Sequence, residues 1–368
     1  MKRLFYTFLL LLLFSCRQPS DTTEVVKFLM PTQEGLTNFL DKVRYIRLIP
    51  LNDSSLTYFG NDPDIFYDKQ EFYVADKNGN GKVYRINDNG NLISIIGEKG
   101  RGPNEYLDIK NIQVEGDTVY IFSSPNITIS KFLTDGSFIS KNTIDINAQQ
   151  AIVQDTKLIA YAGFGMEVPY RYIILNNQKI KYLLKSKEKV MSFSENTNVF
   201  YKNNKDLFAR EAYSNIIYSY ADDFIPYLTF DFGKYNIPDD FFAFGDSFVA
   251  SEFLFKREYA LTRKYFESDY MRVLETLVST KNGPMFTYGF NMKNDDHQWI
   301  WFSMGDVRKS AFVNSLKEIS ENRLYFLLDP SGLEYLPNDV YNKILNKDVL
   351  NNTEENSNYI IAEFLINL

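Results

Sequence analysis

Residues able to do chemistry cluster in a few short segments. GEKGRGPNEY, Gly97 to Tyr106, is the most distinctive. Gly97, Gly100 and Gly102 permit positive φ, and Pro103 fixes the next backbone angle. On that frame Arg101 offers five donors in a planar fork and Glu105 offers carboxylate acceptors. Such a set suits either neighbouring backbone groups or a bound ligand. Gly100, Arg101, Gly102, Pro103, Glu105 and Tyr106 are therefore read as a structural or ligand-contacting loop, with Arg101 expected to satisfy buried acceptors. The GK[ST] ending of a phosphate-binding loop is missing. A second segment, DKNGNG (Asp76 to Gly81), matches the first half of a calcium loop, with Asp76, Asn78 and Asn80 as oxygen donors. The closing acidic ligand of such a loop would fall at Asn87, so the competing reading is a hairpin turn rich in Asn and Gly. The hairpin turn is the preferred reading, so no metal or other cofactor is expected, with calcium at Asp76, Asn78 and Asn80 kept as the alternative.

GDSF, Gly245 to Phe248, has the look of a hydrolase nucleophile block, and Asp295 and Asp296 stand beside His297. The position three before His297 is Asn294 where that chemistry needs an acid, so no catalytic residue is assigned. The acid pairs Asp222–Asp223, Asp239–Asp240 and Glu354–Glu355 fall in turn-like or helix-start contexts. Among 368 residues there is one His and one Cys, which removes multi-His or multi-Cys zinc sites and disulfide frameworks. A net charge of −7 argues against a nucleic-acid partner.

The elements that must hold these segments are short strands. Phe and Tyr number 31 and 26, and such rings favour strands. VRYIRLIPL (Val43 to Leu51), EFYVAD (Glu71 to Asp76), KVYRIN (Lys82 to Asn87) and NLISIIG (Asn91 to Gly97) are joined by turns rich in Asn and Gly. That order predicts consecutive hairpins. The unit recurs at Asp117 to Ile144, where Tyr120 matches Tyr73 and Gly136 matches Gly90, offsets of 47 and 46 residues. Several strands per repeat of that length are the signature of a propeller blade. Two stretches, Pro238 to Lys256 and Asn338 to Leu350, predict short helical excursions. The terminal run YIIAEFLINL is expected to pair with Val43 to Leu51 and close the ring, since an open edge invites aggregation.

At the N-terminus Lys2 and Arg3 precede an apolar run, Leu4 to Phe14, too short to span roughly 30 Å of hydrocarbon. The run ends Leu13-Phe14-Ser15-Cys16, which resembles the lipobox of bacterial lipoproteins. That resemblance implies cleavage before Cys16 and acylation of its thiol. Residues 1–15 are then a signal peptide, 16–40 a lipidated tether, and 41–368 the folded body.

The order IPL, FYVAD, KVYRINDNGNLISIIG, GRGPNEY is similar to the six-bladed β-propeller lipoproteins of Bacteroidetes, relatives of NHL-repeat propellers. The likeness is tight over about Asp41 to Ile144. Where that family reads GRGPGEY this chain has Asn104, and where its last strand begins Asn-Pro this chain has Asn358-Tyr359. The resemblance implies an all-β, six-bladed propeller with short helical insertions, although body length divided by the repeat gives about seven units. The expected function is a binding or scaffold module in the cell envelope, anchored in the outer membrane through Cys16. Its ligand would be a glycan, a peptide or an envelope protein. Two other classes remain: a metal-dependent hydrolase or lyase of the NHL-like type, and a structural subunit docking on an outer-membrane partner. If Cys16 is the anchor, Cys16→Ala should move the protein from the membrane pellet to the soluble fraction on cell fractionation. Unchanged retention in the pellet would remove the lipid-anchor reading.

Overall fold

The computed structural model describes residues 23–368 except 52–53, 57, 125, 164–168, 178, 186–196, 204–205, 296–297, 306–309 and 356. Six main antiparallel sheets follow one another around an axis. Blade I is β3 (Asp64–Asp68), β4 (Glu71–Ala75), β5 (Val83–Asn87) and β6 (Leu92–Ile95). The loop behind it carries a short parallel pair, β7 (Glu98–Lys99) and β8 (Glu105–Tyr106). Blade II is β9 (Asn111–Glu115), β10 (Thr118–Ser123), β11 (Asn126–Leu133) and β12 (Phe138–Asn147). Blade III is β13 (Gln150–Gln154), β14 (Lys157–Tyr161), β15 (Tyr170–Asn176) and β16 (Lys179–Lys185). Blade IV is β17 (Phe200–Lys202), β18 (Leu207–Arg210), β19 (Ile216–Tyr220) and β20 (Phe224–Asp231). Blade V is β21 (Tyr259–Glu267), β22 (Met271–Thr280), β23 (Gly283–Met292) and β24 (Trp299–Phe302). Blade VI takes β25 (Phe312–Ser320), β26 (Arg323–Leu328) and β27 (Ile360–Ile366) from the end of the chain, and β2 (Val43–Pro50) from its beginning.

Ring closure is as the terminal runs predict. β2 pairs antiparallel with β27 from Val43↔Ile366 to Pro50↔Ile360. Asn358 and Tyr359 extend the seam, accepting hydrogen bonds from the Phe59 and Leu51 N–H groups at 2.9 and 3.1 Å. The repeat also has a structural meaning. Gly90 and Gly136 both have φ near +90° in the last hairpin of their blades. A Cβ on either would lie 2.1 Å from the Pro50 carbonyl or 2.4 Å from the Ile95 carbonyl, at the end of the previous blade's outermost strand. Only glycine meets both demands.

The apolar core lies between facing blades. Phe72 and Tyr84 pack against Tyr325 and Ile361 across blades I and VI, and Tyr161 and Tyr172 meet Phe200 and Leu207 across III and IV. Blades IV, V and VI share the largest cluster.

One boundary needs correction. Part of the segment read as tether, residues 16–40, is built into the propeller. β1 (Glu24–Lys27) adds a parallel fifth strand to β20, in register from Glu24↔Leu228 to Lys27↔Asp231. Helix α1 (Gln33–Lys42) buries Leu36, Phe39 and Leu40, and Phe39 stacks on Phe302 with centroids 3.9 Å apart. Thr32 caps it by accepting from the Gly35 N–H at 3.1 Å. The Thr cap followed by Leu36, Phe39 and Leu40 at i, i+3, i+4 was the available helix signal. A four-residue strand whose partner lies two hundred residues away has no local signal. The other excursions are short helices at the places expected: α2 (Ser247–Phe255), α3 (Asn338–Lys343) and α4 (Asp348–Asn351).

The innermost strands, β3, β9, β13, β17, β21 and β25, each leave one edge without a backbone partner. Side chains supply the missing bonds. Asn111 donates to the Ala151 carbonyl at 2.7 Å and accepts from the Ala151 N–H at 3.2 Å. Gln113 does the same to Val153, with both contacts at 2.8 Å. Gln150 donates to the Thr197 carbonyl at 2.7 Å and accepts from the Val199 N–H at 2.9 Å. Thr197 and Tyr201 both donate to the Arg263 carbonyl. Between V and VI, Lys264 donates to the Leu316 carbonyl and Glu275 accepts from its N–H, both at 3.0 Å. Lys317 reaches Asp62 from blade VI, and Lys69 meets Asp117 between the turns of I and II. Asn111→Ala should leave the Ala151 groups unpaired and lower stability by about 1–3 kcal/mol for each group stranded. An exposed change such as Lys179→Ala should stay within about 0.5 kcal/mol. Urea denaturation of the three proteins checks this, and equal midpoints for Asn111→Ala and the parent would refute it.

Candidate functional site in the axial cavity

The six inner strands surround a cavity of about 620 Å³. Asp68 and Lys69, Glu115 and Gly116, Ser268 to Tyr270, and Ser320 with Glu321 line it at their blades' first turns. Its mouth is therefore on the face carrying those turns. The wall is two-sided. Blades II to IV contribute Ile112, Ile152 and Phe200 beside the amides of Asn111, Gln113 and Gln150, whose polar atoms are engaged between blades. Blades V, VI and I contribute Lys264, Lys317, Glu318 and Asp64. Seven carboxyl residues and four lysines line the whole, so a polyanion is disfavoured.

This charged side comes from β21 and β25, whose register shifts beside Lys264 and at Lys317, so that the adjacent Lys317 and Glu318 both line the cavity. Lys317 is fully buried and ion-paired with Asp62. Burial works against ionisation of Asp62, but the Lys317 and Lys264 ammonium groups outweigh it and hold the carboxyl below its ordinary range. Asp64 pairs with Lys77 at 2.6 Å. Lys264 is buried, and desolvation with repulsion from Lys317 lowers its pKa to about 8. Glu318 accepts from the Ile319 N–H at 2.9 Å. Desolvation raises its carboxyl to about 8, against the pull of Lys264. At neutral pH the cavity thus presents a protonated carboxyl, able to donate, beside an ammonium group. Nearer the mouth, burial also raises Asp68, while Glu115 pairs with Lys202 at 3.2 Å.

The segments singled out in the sequence lie elsewhere. None of Gly100, Arg101, Gly102, Pro103, Glu105 and Tyr106 lines the cavity. Their loop is organised by Glu105, which accepts from the Gly102 N–H at 2.6 Å, while Lys141 donates to the Glu105 carbonyl at 2.7 Å. A Cβ at Gly100 would lie 2.0 Å from that carboxylate. Tyr106 is fully buried. Arg101 is exposed and makes no hydrogen bond or ion pair among the described residues; the loop's carbonyls take their donor from Lys141, and Glu105 instead accepts from backbone. In DKNGNG, Asp76 is buried and accepts from the Gly60 and Asn80 N–H groups at 2.9 and 2.8 Å. Asn78 donates to the Asn61 carbonyl and Asn80 to the Tyr84 hydroxyl, so the three side chains serve separate partners. Among the described residues no group of three His, Cys, Asp or Glu gathers in metal-binding geometry. Asp246 of GDSF caps α2, accepting from the Phe248 and Val249 N–H groups. Cys16 and His297 lie outside the described residues.

Sequence reasoning passed over Lys264, Lys317 and Glu318. An inward lysine or glutamate in a strand reads as a solvated face unless the axis is known. The available signal was charge at both parities of KEIS and TRKY, where a half-buried strand would alternate.

A closed ring of six blades around a ligand-sized cavity defines a six-bladed β-propeller with an axial site. Within that class the chain belongs to the family described as Domain of unknown function (DUF4934), whose model matches residues 29–364. A solved structure from Bacteroides fragilis, described as an exported protein, aligns over 94% of this chain and 100% of its own at 17% identity and a TM-score of 0.76. At that identity the likeness speaks to the fold. The PQQ domain of a pyranose dehydrogenase from Coprinopsis cinerea aligns over 87% of this chain and 95% of its own, with 9% identity and a TM-score of 0.37, too low to carry an argument. No curated protein matches the chain.

The two perturbed groups give the fold a pH signature. Glu318 titrates near 8 in the fold and near ~4.3 when unfolded. Between these values the unfolded chain has lost the proton and the folded chain keeps it, so this group lowers stability as pH rises to about 8. Lys264 works in the next window. Folded, it loses its proton near 8, whereas the unfolded chain holds it to ~10.4, so stability rises across that span. Glu318→Gln should therefore be more stable than the parent at about pH 8, with the advantage shrinking toward pH 5. Urea midpoints at the two values test this, and an offset independent of pH would contradict it.

Proposed function

We propose that this chain is a cell-envelope lipoprotein, held through lipid on Cys16, whose propeller is a binding module with its site in the axial cavity. One observation carries the reading: the cavity of about 620 Å³ with one apolar and amide-lined wall and one charged wall. That volume lies within the range of about 300–1,000 Å³ typical of small-ligand sites, and it excludes a folded domain. The ligand is a small polar molecule, or the end of a glycan or peptide. Its acceptors would meet the Glu318 carboxyl and the Lys264 ammonium, and its body the Ile152–Phe200 side. The likeness to NHL-repeat propellers supports the same placement, since it is a likeness of the ring. An outer-membrane location rests on the LFSC ending, with the exported description of the Bacteroides fragilis structure in keeping with it.

A panel of glycans, amino acids and short peptides, screened by thermal shift, tests the site. A ligand at one hundred times its Kd should add about 2.7 kcal/mol of stability. The shift should be strongly reduced in Glu318→Leu, which occupies similar space but carries no donor. A ligand that shifts both proteins equally would place binding outside the cavity and overturn the proposal.

A further inference from the structure

A second cavity, about 670 Å³, lies at the outer corner between blades IV and V. Glu24 to Lys27 and Leu29 form one wall and Trp299 with Trp301 the other. β1 has a single sheet partner, so its outward edge is open. Along it, Val25 and Leu29 expose 62% and 63% of their surface, while Val26 turns inward and is buried. Phe28 fastens the segment from beneath, edge-on to Trp301 at 4.8 Å and to Phe232 at 5.5 Å. The corner is further fixed by Arg272, which donates to Glu24 at 2.8 Å and lies over the Trp299 ring at 5.4 Å. The only two tryptophans of the chain stand here, and each indole N–H is buried with no hydrogen-bond partner among the described residues.

We propose that this corner, Val25, Leu29 and Trp299, docks on the surface of the lipid bilayer to which Cys16 is attached. The inference rests on the proposed acylation of Cys16. Cys16 precedes Glu24 by eight residues, a span of at most about 28 Å even when fully extended. The anchored chain cannot carry this corner farther than that from the lipid surface. Aliphatic side chains beside a tryptophan are what the interfacial zone accepts, since indole favours the headgroup level. A protein partner fits less well: two exposed aliphatics and a half-buried indole fall far short of the roughly 20–30 residues a side of a standard interface. A bilayer contact need supply only a small increment once the acyl chains hold the protein.

The test uses the mature chain, residues 16–368 with Cys16→Ser, which retains every described residue and lacks the lipid. It is titrated with phosphatidylcholine vesicles and with vesicles of acyl-brominated phosphatidylcholine. Because both tryptophans lie at this corner, emission excited selectively at tryptophan, away from the absorption of the 26 tyrosines, reports on it alone. We expect a blue shift with the first vesicles and quenching with the second. Val25→Glu with Leu29→Glu should weaken partitioning at least about tenfold, the scale expected when two aliphatic contacts with an apolar phase are lost. Should the double variant fold poorly, quenching of the parent by brominated lipid still decides. Emission unchanged by either vesicle overturns the proposal. So does equal quenching of parent and folded variant, or self-association of the parent that the variant abolishes and vesicles do not compete. Cys16→Ala fractionation reports separately on the anchor, so loss of one claim is distinguishable from loss of the other.

Discussion

Six sheets radiating from an axis must each end in an inner strand whose outer neighbour is its own sheet and whose other edge faces the next blade. Those edge groups are buried around the axis, and a buried, unpaired amide or carbonyl costs about 1–3 kcal/mol. This constraint organises the centre of the molecule. Asn111, Gln113 and Gln150 meet it with side-chain amides, which hold an N–H donor and a carbonyl acceptor side by side in one plane and so substitute for a missing strand. Lys264 and Glu275 meet it between V and VI with opposite charges, each serving one face of Leu316.

The two solutions differ in consequence. An amide staple is neutral and leaves no titratable group behind. The ionic version brings Lys264 and Lys317 to the axis, where with Asp64 and Glu318 they make the charged wall of the cavity, Lys317 being paired with Asp62. The site is then a by-product of how blades V, VI and I are joined. Breaking a buried pair is strongly unfavourable, so the same charges that could meet a ligand also hold the seam. These joints flank blade VI, the sheet in which β2 and β27 close the ring. There Glu363, buried in β27, takes Arg47 from β2 and Arg323 from β26 at 2.6 and 2.8 Å.

The rim answers to different physics. Gly90 and Gly136 are required where hairpin turns abut a carbonyl of the preceding blade, and Glu105 holds the Gly-rich loop by a short bond to backbone. Of these, the Gly-rich loop looked functional in the sequence because special backbone conformations and binding loops use the same residues. Gly90 and Gly136 space the blades. The same ambiguity applies to DKNGNG, whose oxygens are spent on Gly60, Asn80 and Lys82 N–H groups.

By itself the sequence determined the all-β class, hairpins in the first two blades with their 46- to 47-residue offset, and the pairing of β2 with the last strand. The first two rest on local alternation and turn chemistry, which leave a visible pattern, and the third on the need to leave no open sheet edge. It also placed the short helices near 238–256 and 338–350, through caps and spacing. Tertiary structure alone decided that Glu24 to Lys27 is a fifth strand on blade IV, because parallel pairing with Leu228 to Asp231 depends on a partner two hundred residues away. It alone decided that Lys264, Lys317 and Glu318 share one wall, since Lys264 comes from blade V and the other two from blade VI, and they meet only when those blades pack. And it alone decided that Arg101 faces solvent while Glu105 does the work of its loop: both lie on one turn, and which side chain reaches the backbone is set by the fold around them.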